Sequence, residues 1–221
     1  MKIETLVVGQ LATNCYLAWC PATLRAVIID PGDAGDFIIQ KILDLKLKPE
    51  LIVATHGHFD HVLAVTELRL AFGVPFILHQ KDEPLLKRAG RIAQYFTGLR
   101  SDPVVRPDQF IKEGDVLRFG KQNLRIIETP GHTPGSICLY SESIHLRGGV
   151  APAAHLGGDR ILFSGDTLFA GGGMGRTDLP GGNQNQLLGS IKNKLLVLPD
   201  DTVVCPGHGE MTTIGEEKQY Y

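Results

Sequence analysis

The chain has 221 residues, 43% of them hydrophobic, enough to enclose a sizeable core. Its formal net charge is -2 and its lysines and arginines are scattered, which argues against a nucleic-acid partner held by bulk electrostatics. No stretch approaches the roughly 20 apolar residues that span a bilayer, and the first residues lack the charged and apolar segments of a secretory leader, so a cytoplasmic protein without a membrane partner is expected.

Strands are predicted at 3–8, 15–20 and 25–30, the last closing on the turn Asp30-Pro31-Gly32. A helix over 36–47 carries Phe37, Ile38, Ile42, Leu43 and Leu45 on what is roughly one apolar face. A short buried strand at 51–54 is followed by a helix at 62–72, a strand at 75–78 and another helix from about Asp82. Residues 90–107 have weak periodicity and read as a lid or a continuation of that helix. Further strands are predicted at 124–128, 136–140 and 161–163, then a helix over 183–198 and a last strand at 202–205. No internal repeat and no Pro/Ser-rich linker divides the chain, so a single α/β domain over 1–221 is expected, with two sheets and helices outside.

Chemistry concentrates at the ends of these strands. His56, His58, Asp60 and His61 lie within six residues directly after the apolar run Leu51-Ile52-Val53-Ala54. Three later segments each add one donor: Gly131-His132 after Thr129-Pro130, Gly165-Asp166 after Leu162-Phe163-Ser164, and Gly207-His208 after Cys205-Pro206. Five imidazoles and two carboxylates suffice for two metal ions that share one carboxylate, with a position left for water. So many unpaired imidazoles in one loop would be costly without a metal, whereas Asp166 alone also suits a turn or helix cap. Loops at strand ends, held by a rigid sheet, are where active sites are commonly built.

The segments His56-Gly57-His58-Phe59-Asp60-His61, Thr129-Pro130-Gly131-His132-Thr133-Pro134-Gly135-Ser136, Gly165-Asp166-Thr167-Leu168-Phe169 and Pro206-Gly207-His208-Gly209 together resemble the metallo-β-lactamase superfamily. Within it the chain is most similar to the short bacterial proteins related to glyoxalase II, the hydroxyacylglutathione hydrolases, and the likeness runs from Asn14 to Glu217. The resemblance implies an αββα sandwich of two mixed sheets with helices on the outer faces. It also implies two divalent metal ions, zinc being the first expectation and iron or manganese the alternatives. One ion would take His56, His58 and His132, the other Asp60, His61 and His208, with Asp166 bridging and Asp30 orienting a ligand imidazole. Full-length glyoxalase II carries a C-terminal helical domain whose basic residues hold glutathione; the sequence here shows none after the His208 motif, so the likeness does not fix the thiol carrier. Residues 147–158, rich in Gly, Ala and Pro, read as an insertion between two strands.

The expected reaction is hydrolysis of a small thioester such as S-lactoylglutathione by a metal-bridging hydroxide, which Asp60 would orient as well as ligating metal. A thiolate leaving group needs no dedicated general acid. The alternative within the superfamily is a persulfide dioxygenase, its single iron held by His56, His132 and Asp166, and Gly175-Arg176-Thr177-Asp178 also resembles that branch. A metal-binding protein without catalysis fits a complete ligand set less well. Arg176 is the candidate substrate-binding residue, with an internal pair to Asp178 as the alternative. His79 is expected to close a strand, His145 and His155 to be structural or exposed, and Cys15 and Cys205 to be buried thiols rather than nucleophiles.

Overall fold

The computed structural model describes residues 1–98, 100–142 and 160–221. The proposed insertion at 147–158, with His145 and His155, lies outside the described residues. Two six-stranded sheets form the centre. The first holds β1 (Lys2–Val8), β2 (Thr13–Trp19), β3 (Arg25–Ile29), β4 (Lys48–Val53), β5 (Phe76–His79) and β6 (Gln109–Ile111), in that spatial order. β1 to β3 pair antiparallel and β3 to β6 parallel. The parallel steps need crossovers, which α1 (Gly35–Asp44), α2 (Val65–Phe72) and α3 (Glu83–Thr97) supply. The second sheet runs β12 (Thr212–Thr213), β11 (Val203–Pro206), β10 (Arg160–Gly165), β9 (Ile137–Glu142), β8 (Gln122–Glu128) and β7 (Val116–Phe119). It is antiparallel except for β10 with β11. Both sheets are therefore mixed, as expected.

Side-chain alternation builds three cores from these strands. In β2, Cys15, Leu17 and Trp19 face the layer of α1 to α3, while Tyr16 and Ala18 face the other sheet. In β10, Ile161 and Phe163 meet the first sheet, and Leu162 points to α4 (Gln184–Ser190) with Leu187, Ile191 and Leu195. Strands buried on both faces read as continuous apolar runs, which is why they were visible in sequence without alternation. Each fully buried Leu, Ile or Phe in these layers contributes roughly 1.5–3 kcal/mol.

The differences from the sequence reading lie at boundaries and in short elements. β4 starts at Lys48, because its first half is only partly buried and lacks an apolar run. α2 begins at Val65, since Phe59–His61 forms its own tight turn. α3 extends to Thr97, so the first part of 90–107 continues the helix, ending at Gly98 in a left-handed conformation. The helix over 183–198 is α4 followed by a wider π turn at Ile191–Leu195. β6, β7 and β12 are short, and α5 (Ile214–Glu217) is one turn capped by Thr213 and Glu216; these elements went unread. No helix among the described residues is long and apolar enough to cross a membrane.

Candidate metal centre

The C-terminal ends of β4, β8, β10 and β11 meet at one edge of the sandwich, and the four histidine and aspartate segments leave from them. Backbone bonds lock that edge: Ile137 N–H donates to Thr55 C=O at 2.9 Å and Asn14 N–H to Gly207 C=O at 2.7 Å across the two sheets, and Gly207 N–H donates to Gly165 C=O at 2.8 Å within the second. The Asn14 side chain adds bonds to the carbonyls of Pro206 and Gly209, and the Tyr16 hydroxyl adds one to Pro206.

The expected ligand residues converge there. His56, His58 and His132 form one trio and Asp60, His61 and His208 another, with the donor atoms of each trio within 4.8 Å of one another. His132 Nε2 lies 3.2 Å from His56 Nε2 and 2.9 Å from His58 Nδ1. In the second trio, Asp60 Oδ2 is 3.6 Å from His61 Nε2 and 3.3 Å from His208 Nε2. Asp166 stands between them: Oδ1 is 3.4 Å from His61 Nε2, and Oδ2 is 3.6 Å from His132 Nε2 and 3.7 Å from His208 Nε2.

Groups behind the imidazoles set their orientation. His132 Nδ1 donates to the Arg176 carbonyl at 2.7 Å and His208 Nδ1 to the Leu11 carbonyl at 3.0 Å. Since a carbonyl can only accept, each ring carries a proton on Nδ1 and turns its Nε2 inward. Asp30 sits behind His61, its Oδ2 3.1 Å from Nδ1. Its carboxylate also accepts from Thr55 N–H at 2.6 Å and Thr55 Oγ1 at 2.7 Å. To reach them Asp30 adopts φ 51°, a left-handed conformation that aspartate tolerates better than most residues.

This donor set fits a metal. His61 Nε2 and Asp166 Oδ1 are buried and find no hydrogen-bond partner, an expense that a cation would offset. Burial, with the neighbouring imidazoles, pushes the His56 pKa well below its usual value and that of His58 down to about 4, so both are neutral and ready to bind. Burial acts the same way on His61, but the carboxylates of Asp166, Asp60 and Asp30 outweigh it and raise its pKa well above the ordinary value. Asp166, despite burial, is held far below the usual carboxylate range by His61, His132 and His208. The pocket calls for positive charge, whether proton or metal.

Asp82 is a supporting residue with little signal in the sequence. Asp82, fully buried, accepts from Gly57 N–H at 2.9 Å, Gly135 N–H at 2.7 Å and Thr133 Oγ1 at 2.7 Å, fastening the loop of His56 to the loop of His132. Its one signal was an acid at the start of a helix, shared with many solvated caps. Glycine is required where these loops touch: a Cβ on Gly207 would stand 2.2 Å from Asp166 Oδ1, and one on Gly165, at φ +49°, 2.3 Å from Thr55 Oγ1. His79 closes β5 and contacts Glu128 at 3.1 Å, as expected. Burial drives the thiol of Cys15 far up and that of Cys205 up to about 12, so neither is a nucleophile at neutral pH. Arg176 donates to Asp178 through a fork at 2.7 and 2.6 Å, and it also lines the cavity above the trios.

That cavity is about 850 Å³, with His58, Asp60, His132, Asp166 and His208 at its floor and Leu11, Phe59, Ile92, Phe96 and Phe169 among its walls. A two-sheet sandwich with a histidine- and aspartate-lined centre at one edge is the architecture of a metallo-hydrolase. The chain belongs to the metallo-beta-lactamase superfamily, whose family model matches residues 8–143 and 144–208. It is 38% identical to the hydroxyacylglutathione hydrolase GloC of Haemophilus influenzae (strain ATCC 51907 / DSM 11121 / KW20 / Rd), over 99% of this chain and 96% of that protein. Among solved structures, the BLEG-1 B3 metallo-beta-lactamase matches with TM-score 0.84 and 35% identity over 98% of this chain and 96% of that one. A di-iron-bound form of TTHA1623 matches with TM-score 0.82 and 34% identity, covering 98% of each chain. The superfamily binds divalent metals, and the clustered imidazoles and carboxylates here are suitable donors.

Proposed function

We propose that the protein is a dinuclear metal-dependent thioesterase of the glyoxalase II kind, cleaving S-lactoylglutathione or a similar small thioester. The observation that carries this reading is the pair of ligand trios joined by Asp166 at the floor of a cavity large enough for a whole thioester. His56, His58 and His132 would hold one divalent ion, and Asp60, His61 and His208 the other; zinc is the first expectation, with iron or manganese accepted by the same donors. When bound, the ions supply Lewis acidity, activating water at neutral pH and polarising the substrate carbonyl. Asp60 lines the cavity, where its carboxylate would accept a hydrogen bond from the attacking water and fix its direction. Asp30 and the carbonyls of Leu11 and Arg176 keep the imidazoles turned inward throughout. Phe59, Phe169 and Gly175 beside the trios carry no proton donor, which suits a thiolate that leaves as an anion. The similarity to GloC of Haemophilus influenzae supports the choice of substrate class.

The test is S-lactoylglutathione hydrolysis by metal-replete protein, read as loss of thioester absorbance against a chelator-treated control, with metals counted per chain. Metal-dependent turnover with two metals per chain is expected. An inactive protein carrying a single iron would instead favour the persulfide dioxygenase, for which the convergence of Asp60, His61 and His208 has no use.

A further inference from the structure

The cavity has a second chemical feature besides the imidazoles. Its wall on one side is a face of α3, where Leu85, Arg88, Arg91, Ile92, Tyr95 and Phe96 recur at helical spacing. Arg25, Arg69, Arg106, Arg160 and Arg176 each hold a carboxylate in the fold. Arg88 and Arg91 line the cavity, and among the described residues neither has an ion-pair or hydrogen-bond partner. The acids lining the same cavity are Asp60 and Asp166, both committed to the histidine trios. The apolar Leu85 and Ile92 line the same cavity, as do the exposed rings of Tyr95 and Phe96, with Phe96 stacked on Phe59 at 5.9 Å. A molecule with its carbonyl beside the histidine trios would have the rest of its length in a cavity that also holds two uncommitted guanidiniums.

We propose that Arg88 and Arg91 anchor an anionic arm of the substrate, so that the enzyme takes anionic thioesters in preference to uncharged ones. This rests on the thioesterase reading above. Two neighbouring guanidiniums suit carboxylates or phosphates, each by paired charge-assisted hydrogen bonds. The apolar Leu85, Ile92 and Phe96 in the same lining suit the uncharged part of such an arm.

The experiment compares S-lactoylglutathione (carboxylates), acetyl-CoA (phosphates) and S-acetyl-N-acetylcysteamine (uncharged) as substrates of the metal-replete wild type, Arg88→Met, Arg91→Met and the double variant. Arg118→Met, on the exposed face of β7 and outside the cavity, is the control. For whichever anionic thioester the wild type prefers, each single change is expected to raise KM about tenfold and the double change more, with kcat altered far less. Added salt should raise the wild-type KM for the anionic substrate and leave that of the double variant nearly flat. Preference for the glutathione thioester assigns the anchor to carboxylates, and preference for acetyl-CoA assigns it to phosphates. Equal changes for charged and uncharged thioesters, or none, overturn the proposal. If the wild type with two metals bound cleaves none of the three, the thioesterase reading fails. Calorimetric titration with S-hexylglutathione then decides the anchor separately: weaker binding to the double variant upholds it, and unchanged binding overturns it.

Discussion

The segment 56–61 and the three later loops contribute to the same centre in opposite ways. The first places four side chains through one tight turn after β4, closed by His61 N–H on the His58 carbonyl at 3.1 Å. The others give one side chain each, His132, Asp166 and His208, from the ends of three strands in the other sheet. Each trio draws two members from the local turn and one from far along the chain: His132 completes the pair His56 and His58, and His208 completes Asp60 and His61. Asp166 then joins the trios. The local turn supplies half-sites, and the packing of sheet on sheet turns them into a centre.

That division can be tested by cutting it at its joints. Asp166→Ala removes the group that reaches both trios, and should lower kcat/KM by about 10³-fold or more while reducing bound metal. Wild-type turnover by this variant, with two metals per chain by elemental analysis, would falsify the bridged reading. Asp82→Ala cuts the tie between the local turn and the loop of His132. It leaves the Gly57 and Gly135 N–H groups buried without their acceptor, a loss of roughly 3 kcal/mol. Urea unfolding of the metal-free protein measures this without recourse to activity. Asp30→Asn keeps the shape but weakens the hold on His61, and should cost about 10–100-fold in metal affinity by competition with a chromophoric chelator.

The smallest effect concerns protons. His61 has a raised pKa and, in the metal-free protein, keeps its proton at pH 7, whereas His56 and His58 have lowered values and do not. A metal entering the second trio must displace that proton, so its affinity should fall as pH falls, by about tenfold per pH unit for each proton released. The trio of His56, His58 and His132 should show a weaker dependence between pH 6 and 8. Calorimetry of metal uptake in buffers of different ionisation enthalpy reads the proton count, and equal release on filling both positions would contradict the difference in protonation.

Much of this was legible in the chain. Continuous apolar runs announced the doubly buried strands β2, β3, β4 and β10, because alternate residues of each feed two different cores. The dense histidine turn announced metal chemistry, because unpaired imidazoles at that spacing have few other uses. Short β6, β7 and β12 gave too little period to read, since their pairing is set by neighbours rather than by their own residues. Asp82, Asn14, Thr55 and the carbonyls of Leu11 and Arg176 were invisible as parts of the site. Each acts on a group distant in sequence or next to an ordinary turn, so nothing in its local pattern separates it from a solvated residue.

The sequence alone determined which donors the protein owns and on which strand ends they sit, because burial pattern and turn chemistry are local properties. Only the tertiary structure decided which donors share a trio, where Asp166 stands between them, and that Arg176 is committed to Asp178 while Arg88 and Arg91 have no such partner among the described residues. Those are distances across two sheets, fixed by the register of β4, β8, β10 and β11 and by the close approach that Gly165 and Gly207 permit.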